Sequence, residues 1–223
     1  RLFRRQRQMC IRDRGGGVNA IKTDFFVWYL GAYYLTVLGL NPLLTGFALL
    51  TALVIDAISD PLIGTFSDRI RSKFGRRHLL MAFSLFPISL SYLMLFLPDP
   101  DWAENQIFLF MWLLVFAVIT RFSVTLFDIP HRALAAEIPE SYEDKASVMS
   151  LREGFQSLIA LSHSFIILPF INLDGNDQWF NVGIIGSIIM FVLGLISIIG
   201  TMSLIPNLYP VSYTHLTLPT KQP

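Results

Sequence analysis

Apolar positions run along this chain in long, nearly unbroken blocks, and the alternating or one-sided patterns of soluble strands and helices are missing. Six blocks stand out, at residues 22–39, 43–66, 78–98, 106–129, 148–171 and 180–205. Each is long enough to cross about 30 Å of hydrocarbon at about 1.5 Å of rise per residue. They are too long and continuous for strands, and with no water available to satisfy backbone groups, a helix is the economical solution. The pattern predicts an all-α membrane protein, a bundle of six transmembrane helices with the lipid bilayer as its solvent.

The polar breaks between the blocks alternate in charge, and that alternation orients the bundle. The break after the second block holds Arg69, Arg71, Lys73, Arg76 and Arg77, and the one after the fourth holds Arg132, Lys145 and Arg152. Residues 39–42, 98–105 and 172–178 contain no Lys or Arg and carry Asp99, Asp101, Glu104, Asp174 and Asp177. By the positive-inside rule the first set faces the cytoplasm, which also places the N-terminus there. No separate soluble domain is expected.

Composition agrees: 53% of residues are hydrophobic and only 15% are charged. The two ends do not fit. Residues 1–14 (RLFRRQRQMCIRDR) and 210–223 (PVSYTHLTLPTKQP) share neither the hydrophobicity nor the periodicity of the rest. They read as non-native, adapter-like segments flanking a transporter-like unit at 15–209. Setting them aside leaves ten basic against fifteen acidic residues, a net charge of −5, so the overall +1 is no argument for nucleic acid. The single Cys10 lies in the first of these ends, so no disulfide is implied.

Ionisable residues inside the apolar blocks carry the candidate chemistry, since each costs roughly 2.5–3.5 kcal/mol on insertion scales. In the second block Asp56 and Asp60 are four apart, one turn from each other on a helix, with Ser59 beside them and Pro61 following. In the fourth, Arg121, Thr125 and Asp128 share a stripe ahead of Pro130. Three carboxylates and two hydroxyls at similar depth suit Na⁺, and a carboxylate among like charges in a poor solvent suits H⁺. Either ion would relieve a cluster that otherwise repels itself. The competing reading is structural, with Arg121 and Arg152 pairing these acids to hold helices together. Trp28, Tyr29, Tyr33 and Tyr34 could stack on a sugar ring or simply pack. Lys22 could pair with Asp24 or snorkel to the interface. His131 could titrate with Asp128, and His163 could relay protons or pack. Gly46, Gly183, Gly186, Gly194 and Gly200 are close-packing positions between helices. No nucleophile stands near a base at motif spacing, and no phosphate loop or cofactor motif occurs, so the chain does not read as an enzyme.

The stretch GTFSDRIRSKFGRRH, with Gly64, Asp68, Arg69, Gly75, Arg76 and Arg77, resembles the signature loop between the second and third helices of the major facilitator superfamily. Its stretched spacing is similar to one branch, the glycoside-pentoside-hexuronide:cation symporters, typified by the melibiose carrier. ALVIDAISDPLIG (52–64) looks like the second helix of that branch, and FDIPHRALAAEIPESYEDKASVMSLREGF (127–155) looks like its fourth helix, next loop and fifth helix. The resemblance spans about residues 18–206. It implies a twelve-helix fold of which this chain is the N-terminal six-helix half, the C-terminal half being a missing partner. It also implies secondary active symport of a sugar or glycoside with Na⁺ or H⁺, no other cofactor, and a bacterial inner membrane. Carried over by motif, the cation site falls on Asp56, Ser59, Asp60, Thr125 and Asp128. The solute contacts fall on Arg152 and on Arg132, where the family has an aromatic, with Asp24 replacing a first-helix acid whose place aligns near Ala20. The loop residues form a cytoplasmic gate. The alternatives are a membrane sensor or assembly subunit that does not transport, and a lipid carrier of the same fold.

Overall fold

The computed structural model describes residues 16–24, 29–69, 77–98, 100–137, 142–167 and 176–202, and every regular element within them is helical. The elements are α1 (Gly16–Asp24), α2 (Leu30–Ala32) running into a π-helical turn (Tyr33–Val37), α3 (Pro42–Arg69), α4 (His78–Met94), a 3₁₀ turn (Pro100–Glu104), α5 (Gln106–Glu137), α6 (Tyr142–Ile167) and α7 (Asn176–Met202). Among the described residues, three helices are long and apolar enough to cross a membrane: Pro42–Ser67, Gln106–Leu134 and Trp179–Met202. The apolar stretch His78–Met94 is shorter. The first expected span is described as two pieces, α1 and α2 with its π turn, because residues 25–28 lie outside the described set.

Three boundaries differ from the sequence-based expectation. Helix α5 continues through Pro130 to Glu137, α3 continues through Pro61 to Arg69, and α6 starts at Tyr142. Arg69, Arg132 and Lys145, expected between the blocks, are therefore helical, as is Arg152 within the fifth block. A proline removes one ladder bond, but ending a helix in apolar surroundings would strand several backbone groups, so continuing is cheaper.

Helix α5 is the hub: it packs on α3 on one side and α4 on the other, α4 packs on α7, and α1 lies against α6, α7 and α5. The distribution of side chains inverts that of a soluble bundle. On α3 the exposed stripe is large and apolar, with Leu43, Phe47, Leu50, Val54, Leu62 and Phe66, whereas the stripe facing inward is small, with Thr45, Ala48, Ala52, Ser59 and Ser67. Small inward residues let helices approach closely, and large outward ones suit lipid. Helix α7 does the same against α4. Added Cβ atoms at Gly183 and Gly186 would stand 2.7 Å from Phe96 and 2.5 Å from Tyr92, and one at Gly194 would overlap Leu85. Those three expected close-packing glycines do meet a neighbour. Gly46 has nothing within 4 Å, so that position serves no close approach within this bundle.

Helix ends are secured by polar side chains. Asn41 and Asn105 cap α3 and α5 by accepting from the backbone N–H groups of Leu43 (2.9 Å) and Phe108 (3.1 Å). Gln106 links the two starts, accepting from the Asn41 N–H at 2.9 Å and donating to the Gly39 carbonyl at 3.2 Å. Gly39 takes φ +63°, the left-handed conformation that turns the chain from the π turn into α3. Around the C-terminus of α4, Trp112 donates to Met94 O (2.7 Å), Tyr34 to Leu95 O (3.0 Å) and Tyr33 to Pro98 O (2.7 Å). Carbonyls that a helix end leaves without partners are thus satisfied from two other elements.

A buried charge junction between three helices as the candidate functional site

Asp56 projects from the inward stripe of α3 to the meeting point of α1, α3 and α5. Its Oδ2 accepts from Lys22 Nζ on α1 at 3.2 Å and from Arg121 Nη1 on α5 at 3.0 Å, and its Oδ1 accepts from Thr125 Oγ1 at 2.8 Å. The Lys22, Arg121 and Asp56 side chains keep only 10%, 13% and 13% of their exposure, so these bonds are made largely away from water. Ser59 is buried but turns its hydroxyl to the Asp56 backbone carbonyl (2.9 Å), away from the carboxylate.

The expected five-residue cation cluster is therefore divided. Asp56 and Thr125 come together. Asp60 is exposed at the rim, because four residues advance a helix by about 400°, and the extra rotation of about 40° carries it off the seam that Ala52, Ser59 and Ile63 follow. Asp128 is buried and bonds Arg132 Nε at 2.6 Å, four residues on and half-exposed. Among the described residues no three carboxylates, imidazoles or thiols gather as a metal-ligand set. In place of the self-repelling trio of acids expected from the sequence, Asp56 and Asp128 each bond a cation and Asp60 is exposed.

Lys22 is the residue that sequence reasoning misplaced. It does not snorkel but crosses to Asp56, 34 residues away. The available signal was its cost: a lysine inside an apolar block needs an anion, and the second block carries two acids. Of the other expected positions, Tyr29 is half-buried against the core, Tyr33 and Tyr34 are fully buried and act as helix-end donors, and His131 stacks on Phe127 with ring centroids 5.8 Å apart. Gly64 lies at the α3–α5 crossing, where an added Cβ would stand 3.8 Å from Ile129. Arg77 is buried at the start of α4. Asp24, Asp68, Arg69 and Arg152 lie on helices, but their side chains are outside the described set, as are His163, Gly75, Arg76 and both chain ends.

Comparison with known proteins gives this geometry a family. Residues 17–207 match the family described as MFS/sugar transport protein. An uncharacterized symporter of Synechocystis is 29% identical over 76% of this chain and 32% of its own length. An uncharacterized symporter of Bacillus subtilis is 30% identical over 75% of this chain and 35% of its own. An Escherichia coli protein bearing the name glycoside/cation symporter is 27% identical over 86% of this chain and 42% of its own. The chain thus spans roughly a third of the length of the curated relatives it matches. With residues 17–207 matched, the chain belongs to the MFS/sugar transport protein family of the major facilitator superfamily, whose members are membrane transporters and not enzymes.

Proposed function

We propose that this chain is the N-terminal six-helix half of a twelve-helix secondary transporter, in which a cation, Na⁺ or H⁺, drives symport of a small solute of the sugar or glycoside class. The observation that carries the reading is Asp56, a largely buried carboxylate on α3 joined to α1 by Lys22 and to α5 by Arg121 and Thr125, within a chain whose relatives are named symporters. A coupling ion would compete with the two resident cations for this carboxylate, with the Thr125 hydroxyl as a neutral ligand. Exposed Asp60, one turn along, would be the acid through which the ion arrives. Because α1, α3 and α5 all hold Asp56, a change of its partner is felt by three helices at once, which is what rocking between inward- and outward-open states requires. Arg132 and Arg152 on the following turns, with Asp24 and Tyr29, would line the solute path. Asp68, Arg69, Gly75, Arg76 and Arg77 would form the cytoplasmic gate. The address is a bacterial inner membrane with the N-terminus inside.

The test is cation-gradient-driven uptake by the intact protein in proteoliposomes. Asp60→Asn replaces an exposed carboxylate without disturbing packing and should abolish the cation dependence, as should Asp56→Asn. Full coupling in the Asp60 variant would sink the assignment. The ion pairing of Asp56 and Asp128 also favours a second reading, a non-transporting sensor or assembly subunit held together by those pairs. That reading requires no uptake or counterflow of any solute.

A further inference from the structure

Glu153 lies near the middle of α6, a helix of 26 residues, away from the charge junction around Asp56. Its side chain is exposed, and among the described residues no cation pairs with it. A carboxylate at that depth is costly against hydrocarbon and tolerated against water or a polar partner. The helix separates those two surroundings. Ile159 packs toward the core, on the side where α6 lies against α1. Leu158, Leu161 and Phe165 are 59%, 60% and 73% exposed and form one apolar flank that suits lipid. Glu153, Gln156 and Ser157 form another flank, about 120° around the helix from the first at about 100° per residue. The chemistry of this second flank is of one kind. The carboxylate accepts hydrogen bonds. The Gln156 side-chain oxygen is buried and bonds nothing among the described residues. The Ser157 hydroxyl donates to the Glu153 backbone carbonyl at 2.9 Å and keeps its lone pairs. Acceptors gathered within about one turn need a partner that donates.

We propose that Glu153 is a specificity-determining residue of the solute path, accepting hydrogen bonds from hydroxyl groups of a neutral, polyhydroxylated solute, with Gln156 beside it. This rests on the symport reading and adds to it a residue on α6 and the feature of the solute that this residue selects. A metal cation would also satisfy a carboxylate, but it needs several ligands around it, and among the described residues no three carboxylates, imidazoles or thiols gather anywhere. A solute hydroxyl needs one good acceptor, and an ionised one holds it more strongly than a neutral one. Arg152, next in sequence and proposed for the same path, can only donate. Consecutive residues of α6 would then read hydroxyl groups in both of their roles, as donors at Glu153 and as acceptors at Arg152.

The experiment uses the intact protein in proteoliposomes. Cation-dependent uptake is measured for labelled methyl glucoside, methyl galactoside and methyl xyloside, and the best of them is compared with its monodeoxy analogues. One deoxy analogue should be taken up with a kcat/KM at least about tenfold below that of the parent glycoside, the factor expected for a hydroxyl lost from a charged acceptor. Glu153→Ala should lower uptake of the parent by a similar factor and shrink that one preference to below about threefold, with the preferences at other hydroxyls and the cation dependence kept. Glu153→Gln, which keeps an acceptor oxygen, should fall between. Accessibility gives a second readout: in a cysteine-free background, Glu153→Cys should react with a charged, membrane-impermeant thiol reagent and be protected by the glycoside, whereas Leu158→Cys on the apolar flank should not react. The proposal is overturned if Glu153→Cys is unreactive, its position then being covered by lipid or by the rest of the protein. It is equally overturned if Glu153→Ala keeps every deoxy preference or loses all of them alike, or if none of the three glycosides is taken up while the cation drives uptake of another solute. Failure of the symport reading looks different: no cation dependence of uptake in the unsubstituted protein with any solute.

Discussion

Replacing Asp56 by Asn removes one charge and almost no volume, so its effect isolates the electrostatics of the junction. At 3.0 and 3.2 Å, each ion pair contributes a gross attraction of about 5 kcal/mol at an effective dielectric of about 20. Much of that is offset by the desolvation of all three groups. What remains when the carboxylate is lost is the penalty of leaving cations buried without it, about 3–5 kcal/mol. The expectation is a loss of that size in the unfolding free energy of the detergent-solubilised intact protein, measured by chemical denaturation. A second substitution sharpens it. In an Asp56→Asn background, Lys22→Gln removes one of the two cations that now face each other, so the double variant should recover at least about 1 kcal/mol relative to the sum of the single changes. Additive single effects, or an Asp56→Asn protein as stable as the parent, would refute the claim that this carboxylate is the counter-ion of both cations.

Other consequences are quicker to check. Thr125→Val keeps the shape and deletes a hydrogen bond to a charged acceptor, so it should cost about 1.5–3 kcal/mol of stability and weaken the coupling-cation affinity seen by isothermal titration. Gly186→Ala drives a methyl into the buried Tyr92 ring and should destabilise by about 1–3 kcal/mol in a thermal-shift assay. Gly46→Ala, inside α3 with open space around it, should instead stabilise by about 0.5–1 kcal/mol in the same assay. Asn41→Ala removes the α3 cap and should cost about 1 kcal/mol, with faster amide exchange at Leu43.

Residue types and their order were enough to read the class of this protein. Uninterrupted apolar blocks admit helices in lipid and little else, so the helical nature of the second, third, fourth and sixth blocks followed from hydropathy and backbone hydrogen bonding alone. The paired acids of 52–64 and the glycine- and arginine-rich stretch after them carry the family resemblance on their own. Boundaries were less legible, because proline reads as a stop in water and is tolerated where neighbouring helices remove the alternative; α5 running through Pro130 is the clearest case. The partners of the charges were legible only in part: Arg121 was read as a cation that could pair these acids, and it does bond Asp56, but the sequence did not say which acid it takes. Spacing along a helix says that Asp56 and Asp60 are neighbours, but whether both face the seam depends on where α5 lies, and a rotation of some 40° separates a buried carboxylate from an exposed one. Likewise nothing local joins Lys22 to Asp56 across 34 residues. That pairing exists because α1 lies against α5, which packs on α3, so that a lysine side chain from α1 can reach Asp56, and it changes the chemistry of the site from a cluster of repelling acids to one acid shared by two cations.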